Sequence, residues 1–129
     1  MKNKEIKAFS SKARANSFKY AFKGLKLFFI TQHNSWIHLV AAFSVIATGL
    51  FFNITKTEWL FVIVAISLVI IAEMLNTAIE FLVDLVSPEF NEMAGKVKDL
   101  AAAAVLFSAL MAVIIGVFVF GPYLLEMIN

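Results

Sequence analysis

Glu73, Asn76, Glu80 and Asp84 follow one another at intervals of three, four and four in the stretch Glu73-Met74-Leu75-Asn76-Thr77-Ala78-Ile79-Glu80-Phe81-Leu82-Val83-Asp84. On a helix of about 3.6 residues per turn this spacing lines all four side chains along one face. Three carboxylates and an amide offer hard oxygen donors and a general base, and their surroundings are apolar enough to lie in a membrane. Ionisable groups in such a place cost roughly 2.5–3.5 kcal/mol each at a helix centre by insertion scales, so the stripe reads as a site. A second group of chemical side chains follows it. Between Ser87 and Asp99 come Glu89, Glu92 and Asp99 with Lys96 and Lys98, ahead of Ala101-Ala102-Ala103-Ala104. Carboxylates that hold a metal beside ammonium groups that neutralise phosphate make a magnesium–phosphate site. Paired intramembrane acids also serve ion carriers, and spacing alone leaves both chemistries open.

The elements that must position these residues are membrane helices. The chain has 129 residues, 61% hydrophobic and 16% charged, with a mean hydropathy of +0.87, well outside the soluble range. The expectation is an all-α, polytopic membrane protein forming one domain over 1–129. It has no cysteine, so neither a disulfide nor thiol-bound metal is expected, and no secretory signal precedes the first apolar run. Segments of about 36–54, 59–86 and 100–125 are long enough to span a bilayer, which takes about 20 apolar residues. Trp36, Trp59 and Tyr123 lie at their ends, where amphipathic rings prefer the interface. The short link from Asn53 to Glu58 makes the first two an antiparallel hairpin. Ser87-Pro88 stops the second, since the residue before proline disfavours helix, and 87–99 reads as a loop.

Eight of the eleven basic residues, Lys2, Lys4, Lys7, Lys12, Arg14, Lys19, Lys23 and Lys26, precede the first span. From Phe18 onward, apolar residues at 18, 22, 25, 28 and 29 recur at helical spacing. Residues 1–30 therefore read as a basic amphipathic helix on an anionic membrane surface. The basic excess places the amino terminus and the loop 87–99 in the cytoplasm. Anionic lipid accounts for it, and no nucleic-acid partner is expected.

Glu73-x-x-Asn76-x-Ala78-Ile79-Glu80-x-x-Val83-Asp84, followed by Gly95-x-x-Lys98-Asp99-x-x-Ala102-Ala103-Ala104-Val105, resembles the signature of the small prokaryotic integral-membrane diacylglycerol kinases, a family that includes undecaprenol kinases. The resemblance runs from Phe18-Lys19-Tyr20-Ala21-Phe22-Lys23-Gly24 through the third span. It implies a homotrimer of three-span subunits in the bacterial cytoplasmic (inner) membrane, each with a surface helix, and sites shared between subunits. The implied reaction moves the γ-phosphate of MgATP to a lipid hydroxyl. By position, Glu73 matches the general base and Asn76 a residue that orients the site. Glu80 matches a ligand of Mg2+, while Tyr20, Glu89, Asn91, Lys98 and Asp99 match nucleotide contacts. Trp36 and Phe22 fall beside the lipid substrate. Asp84 either holds the loop or stays solvated. A histidine of some relatives is Asn91 here, and a metal-binding glutamate of many members is Gln32, whose amide oxygen coordinates without formal charge. Asn34-x-x-Ile37-His38 is closer to the undecaprenol type.

Other readings compete. A cation or proton transporter would need its acids near the midplane with access from both sides, whereas these cluster at one end of a span. A catalytically impaired homologue serving as a scaffold would keep the fold but not bind MgATP, and Gln32 is the residue that admits it. No Gly-x-x-x-x-Gly-Lys-Ser/Thr loop is present, so phosphoryl transfer would use a site unlike that of soluble kinases. His38, alone on an apolar segment, reads as a hydrogen-bonded packing residue, His33 as an interfacial one, and Lys96 as a membrane-edge anchor.

Overall fold

A computed structural model describes residues 11–129, with side-chain environments from residue 14 onward. Its four helices are α1 Ser11–Thr31, α2 His33–Phe52, α3 Lys56–Val86 and α4 Glu92–Ile128, and no strand occurs among the described residues. The protein is thus all-helical, and α2, α3 and α4 are each long and apolar enough to cross a membrane. The first ten positions of the basic amphipathic segment lie outside the described residues. The rest coincides with α1, whose Phe18, Phe22 and Ile30 are exposed.

The break between α1 and α2 falls at Gln32, whose backbone is extended (φ −106°, ψ 110°). Its carbonyl accepts hydrogen bonds from the Ser35 backbone N–H at 3.2 Å and from Ser35 Oγ at 2.6 Å. Trp36 Nε1 reaches back across the elbow to the Phe29 carbonyl at 3.1 Å. The two helices are therefore joined by a short corner with its backbone groups satisfied.

The α2–α3 turn is specified residue by residue. Asn53 adopts a left-handed conformation (φ 50°, ψ 47°), which asparagine tolerates better than most residues. This lets Ile54 N–H return to the Gly49 carbonyl at 3.2 Å. Thr55 then begins α3 with a capping box: its hydroxyl accepts from Glu58 N–H, and Glu58 Oε2 accepts from Thr55 N–H at 2.7 Å. Tyr123 of α4 donates to the same Oε2 at 2.8 Å. Beneath this knot Ile54, Val62, Val119 and Phe120 form the buried core cluster, with Trp59 and Phe52 against it. The three spanning helices are thus clamped together at their turn end.

α3 packs chiefly along α4. α4 starts at Glu92, so the segment read as a loop over 87–99 is non-helical only through residue 91, and the third long helix begins well before residue 100. The reason is local. Asn91 Oδ1 accepts from Met93 N–H at 2.8 Å and Ala94 N–H at 3.1 Å, a side-chain cap that starts the helix at once. At 31 and 37 residues, α3 and α4 are about 46 and 55 Å long. Both exceed the hydrocarbon thickness of about 30 Å, and their ends project beyond it.

Candidate functional site

α3 carries the polar stripe, and the fold divides it among three sets of partners. Glu73 turns toward α2. It is 5% exposed, and its Oε1 lies 2.8 Å from Nε2 of His38. Thr77, equally buried, donates its hydroxyl to the Glu73 carbonyl at 2.9 Å, which satisfies that hydroxyl inside the helix. Oε2 of Glu73 has no protein hydrogen bond among the described residues.

One turn along, Asn76 Nδ2 donates to Glu80 Oε1 at 2.8 Å. The Asn76 carbonyl oxygen is buried without a hydrogen-bond partner, a condition that costs about 1–3 kcal/mol and that a bound cation or donor would relieve. Asn76 Oδ1 and the second oxygen of Glu80 are hard oxygen donors of the kind magnesium takes. They fit as part of a shell. Among the described residues no three His, Cys, Asp or Glu side chains gather into a metal centre, so phosphate and water oxygens would supply most of the six positions.

Asp84, one further turn on, faces α4 and accepts from Lys98 Nζ. Asp84 is exposed and at the same time tied to the first turns of α4 through Lys98, rather than to the link that precedes them. Lys98 is therefore already partnered. Lys96 makes only an exposed i,i+4 pair with Glu92 at 2.6 Å, as suits a membrane-edge residue.

A cavity of about 320 Å³ lies between α2, α3 and α4. Val45, Val62, Val69, Ala109 and Phe120 are typical of its lining, and His38 is its one polar lining residue. His38 thus joins Glu73, to which it is hydrogen-bonded, to one end of an apolar groove that runs toward Val62 and Phe120 at the turn end.

The remaining candidate residues lie on α1, at the α1–α2 corner and around the start of α4, and do not bond to the stripe. Tyr20 is exposed on α1 with Lys23 Nζ 5.8 Å from its ring centroid, and Phe22 is exposed on the same helix. Gln32 is the corner between α1 and α2, and the indole of Trp36 is held to that corner. Glu89 and Asp99 are exposed. Asn91 spends its side-chain oxygen on the α4 cap. Among the described residues no hydrogen bond joins Tyr20, Gln32, Glu89, Asn91 or Asp99 to Glu73, Asn76 or Glu80. His38, read from the sequence as a hydrogen-bonded packing residue, does make a hydrogen bond, and what the sequence reading did not name is its partner, Glu73. The signal for that pairing was present in the hairpin: Glu73 lies 15 residues after Glu58 and His38 lies 15 before Asn53, so an antiparallel fold about that link sets them level.

Comparison with known proteins gives the arrangement a lineage. The sequence pattern of the family described as prokaryotic diacylglycerol kinase matches residues 19–120. The diacylglycerol kinase of Synechocystis sp. is 38% identical over 112 residues, covering 86% of this chain and 64% of that protein, so the match spans just under two thirds of the relative. The undecaprenol kinase of Bacillus subtilis is 35% identical over 108 residues (84% of this chain, 88% of that one). The diacylglycerol kinase of Escherichia coli K12 is 33% identical over 95 residues (74% and 78%). None of these names supports a transporter or a scaffold. With a family pattern that covers most of its length and its three long apolar helices, the chain belongs to the prokaryotic diacylglycerol kinase family.

Proposed function

We propose that this protein is a membrane lipid kinase that transfers the γ-phosphate of MgATP to the hydroxyl of a lipid alcohol, diacylglycerol or undecaprenol, at the cytoplasmic face. The observation that carries the reading is the buried Glu73 carboxylate, with one oxygen held by His38 and the other free, at the head of an apolar groove. A chain in that groove would leave its polar head at the level of Glu73. The groove is lined by hydrocarbon side chains apart from His38, which suits an acyl or isoprenyl tail.

In this mechanism Glu73 Oε2 accepts the proton of the lipid hydroxyl as its oxygen attacks phosphorus, the role of a general base. Magnesium, when bound, would neutralise charge on the transferring phosphoryl group. Glu80 and Asn76 would hold it, with Gln32 offering an amide oxygen from the corner. Lys98 and Asp99 would face the nucleotide, joined by Glu89, Asn91 and Tyr20, and Trp36 and Phe22 would border the lipid. Because Asn91 and Lys98 are engaged within the chain, nucleotide contact there uses the backbone of the 87–91 link or requires Lys98 to exchange Asp84 for phosphate. The amino terminus and this link lie on the cytoplasmic side of the inner membrane, and the working unit is a homotrimer.

The test is transfer of labelled γ-phosphate from MgATP to diacylglycerol and, in parallel, to undecaprenol in mixed micelles, with Glu73→Gln as control. Label in one lipid, absent in the control, supports the kinase and names its acceptor. Label in neither, from a folded protein, overturns the reading for both.

A further inference from the structure

We propose that His38 is a positioning residue for the phosphoryl-transfer base, acting through Glu73 rather than on the substrates; the inference rests on the lipid-kinase reading. Two observations carry it. His38 Nε2 is 2.8 Å from Glu73 Oε1, with the side chains 24% and 6% exposed. The two residues also come from different helices, so the contact bridges α2 and α3 instead of following from helical periodicity.

A carboxylate in an apolar site is costly unless something donates to it. Thr77 donates to the Glu73 backbone and not to the carboxylate, while Asn76 donates to Glu80. His38 is therefore the protein donor to the Glu73 side chain among the described residues. With its proton on Nε2, the ring occupies Oε1, fixes the plane of the carboxylate and leaves Oε2 turned outward to accept. The groove side chains nearest this level, Val69, Ile70, Ala109 and Ala112, offer no substitute donor.

In the reaction, the lipid O–H bond breaks and its proton passes to Glu73 Oε2. The hydroxyl oxygen forms the new bond to the γ-phosphorus, and the β–γ bridging P–O bond breaks, its electron pair leaving on ADP. His38 changes none of its own bonds. Its contribution is a fixed geometry, and a misplacement of about 1 Å at a reacting group costs about 10²-fold.

His38→Leu should lower kcat about 10- to 100-fold while the KM for MgATP stays within about twofold. His38→Gln, which puts an amide N–H near the position of Nε2, should recover most of that loss, whereas a merely space-filling role would be served better by leucine. A His38→Leu protein with kcat within about twofold of wild type, or an equal loss in both variants, would overturn the assignment. A second readout does not depend on turnover or on the stability of the His38 variants. The chain has two histidines, so imidazole ¹⁵N and ¹H spectra are assignable with His33→Gln. A slowly exchanging Nε2 proton of His38 that shifts upfield in Glu73→Gln supports the pairing; a His38 ring indifferent to Glu73→Gln overturns it. If wild type transfers no label to either lipid, the kinase reading fails and the catalytic role of His38 falls with it. If wild type is active and His38→Leu equally so, only this inference fails.

Discussion

Glu73 is the acid of the stripe most withdrawn from its surroundings, and its value to the proposed reaction lies in the single oxygen left free. Replacing that base while keeping shape and hydrogen bonding is the sharpest probe of it. Glu73→Gln is expected to lower kcat by about 10²–10⁴-fold, the usual contribution of a general base, with the helical circular dichroism unchanged. Wild-type turnover in that variant would remove Glu73 from the chemistry. Gln32 calls for the opposite change. It offers an amide where a carboxylate would add charge, so Gln32→Glu should lower the Mg2+ concentration needed for half-maximal rate, by about 3- to 10-fold if the new carboxylate contributes on the order of 1 kcal/mol. A magnesium titration that superimposes on wild type would place this corner outside the metal shell.

The helices hold these side chains because each begins and ends on specific chemistry. Asn91 decides where α4 starts, and hence that Lys98 lies nearly two turns inside a helix with its amine on Asp84. Asn91→Ala should cost about 1 kcal/mol, typical of a lost N-cap, and fray the first turn of α4; amide exchange at Met93 and Ala94 would report it, and unchanged protection there would show the cap to be dispensable. At the other end of the hairpin the packing leaves no room at Gly49. A Cβ there would stand 2.9 Å from the Trp59 ring and 3.1 Å from Ile54, both fixed in the clamp. Gly49→Val is expected to destabilise the fold by about 1–3 kcal/mol, as overpacking does, read as a lower midpoint of thermal unfolding in detergent. A midpoint equal to wild type would mean that Trp59 has space to move.

Across the whole molecule, apolar side chains face outward on every long helix, among them Leu60 and Ile63 on α3 and Phe107 and Phe118 on α4. In water such a surface would aggregate; in a bilayer it is the surface lipid or a neighbouring subunit requires. The proposed topology has a direct check, because the chain has no cysteine of its own. Lys56→Cys, beside the hairpin turn, should react with a membrane-impermeant maleimide on intact cells, and Phe90→Cys, in the link between α3 and α4, only after lysis. The reverse pattern would invert the orientation and remove the groove mouth from the nucleotide side. The proposed trimer is tested by cross-linking in native membranes, where a ladder ending at a species other than three subunits would overturn it.

Much of this was legible from residue order alone, for reasons that are local. The apolar runs are long enough that only a membrane suits them, the stripe at 73, 76, 80 and 84 follows from helical geometry, and Ser87-Pro88 marks the end of α3 through the backbone. The early start of α4 was hidden because polar residues from 92 to 99 resemble a loop in composition, while the Asn91 cap, the Glu92–Lys96 pair and the Lys98–Asp84 bond support them as helix. What tertiary structure decided was where the two ends of the stripe find partners, Glu73 on His38 across the hairpin and Asp84 on Lys98 of α4, while Asn76 and Glu80 pair within α3 by helical spacing. The pattern of α3 puts these acids on one face whatever surrounds them. Which oxygen is held and which is left free depends on neighbouring helices, whose depth and rotation are set by the packing of the turn end, far from the residues they serve.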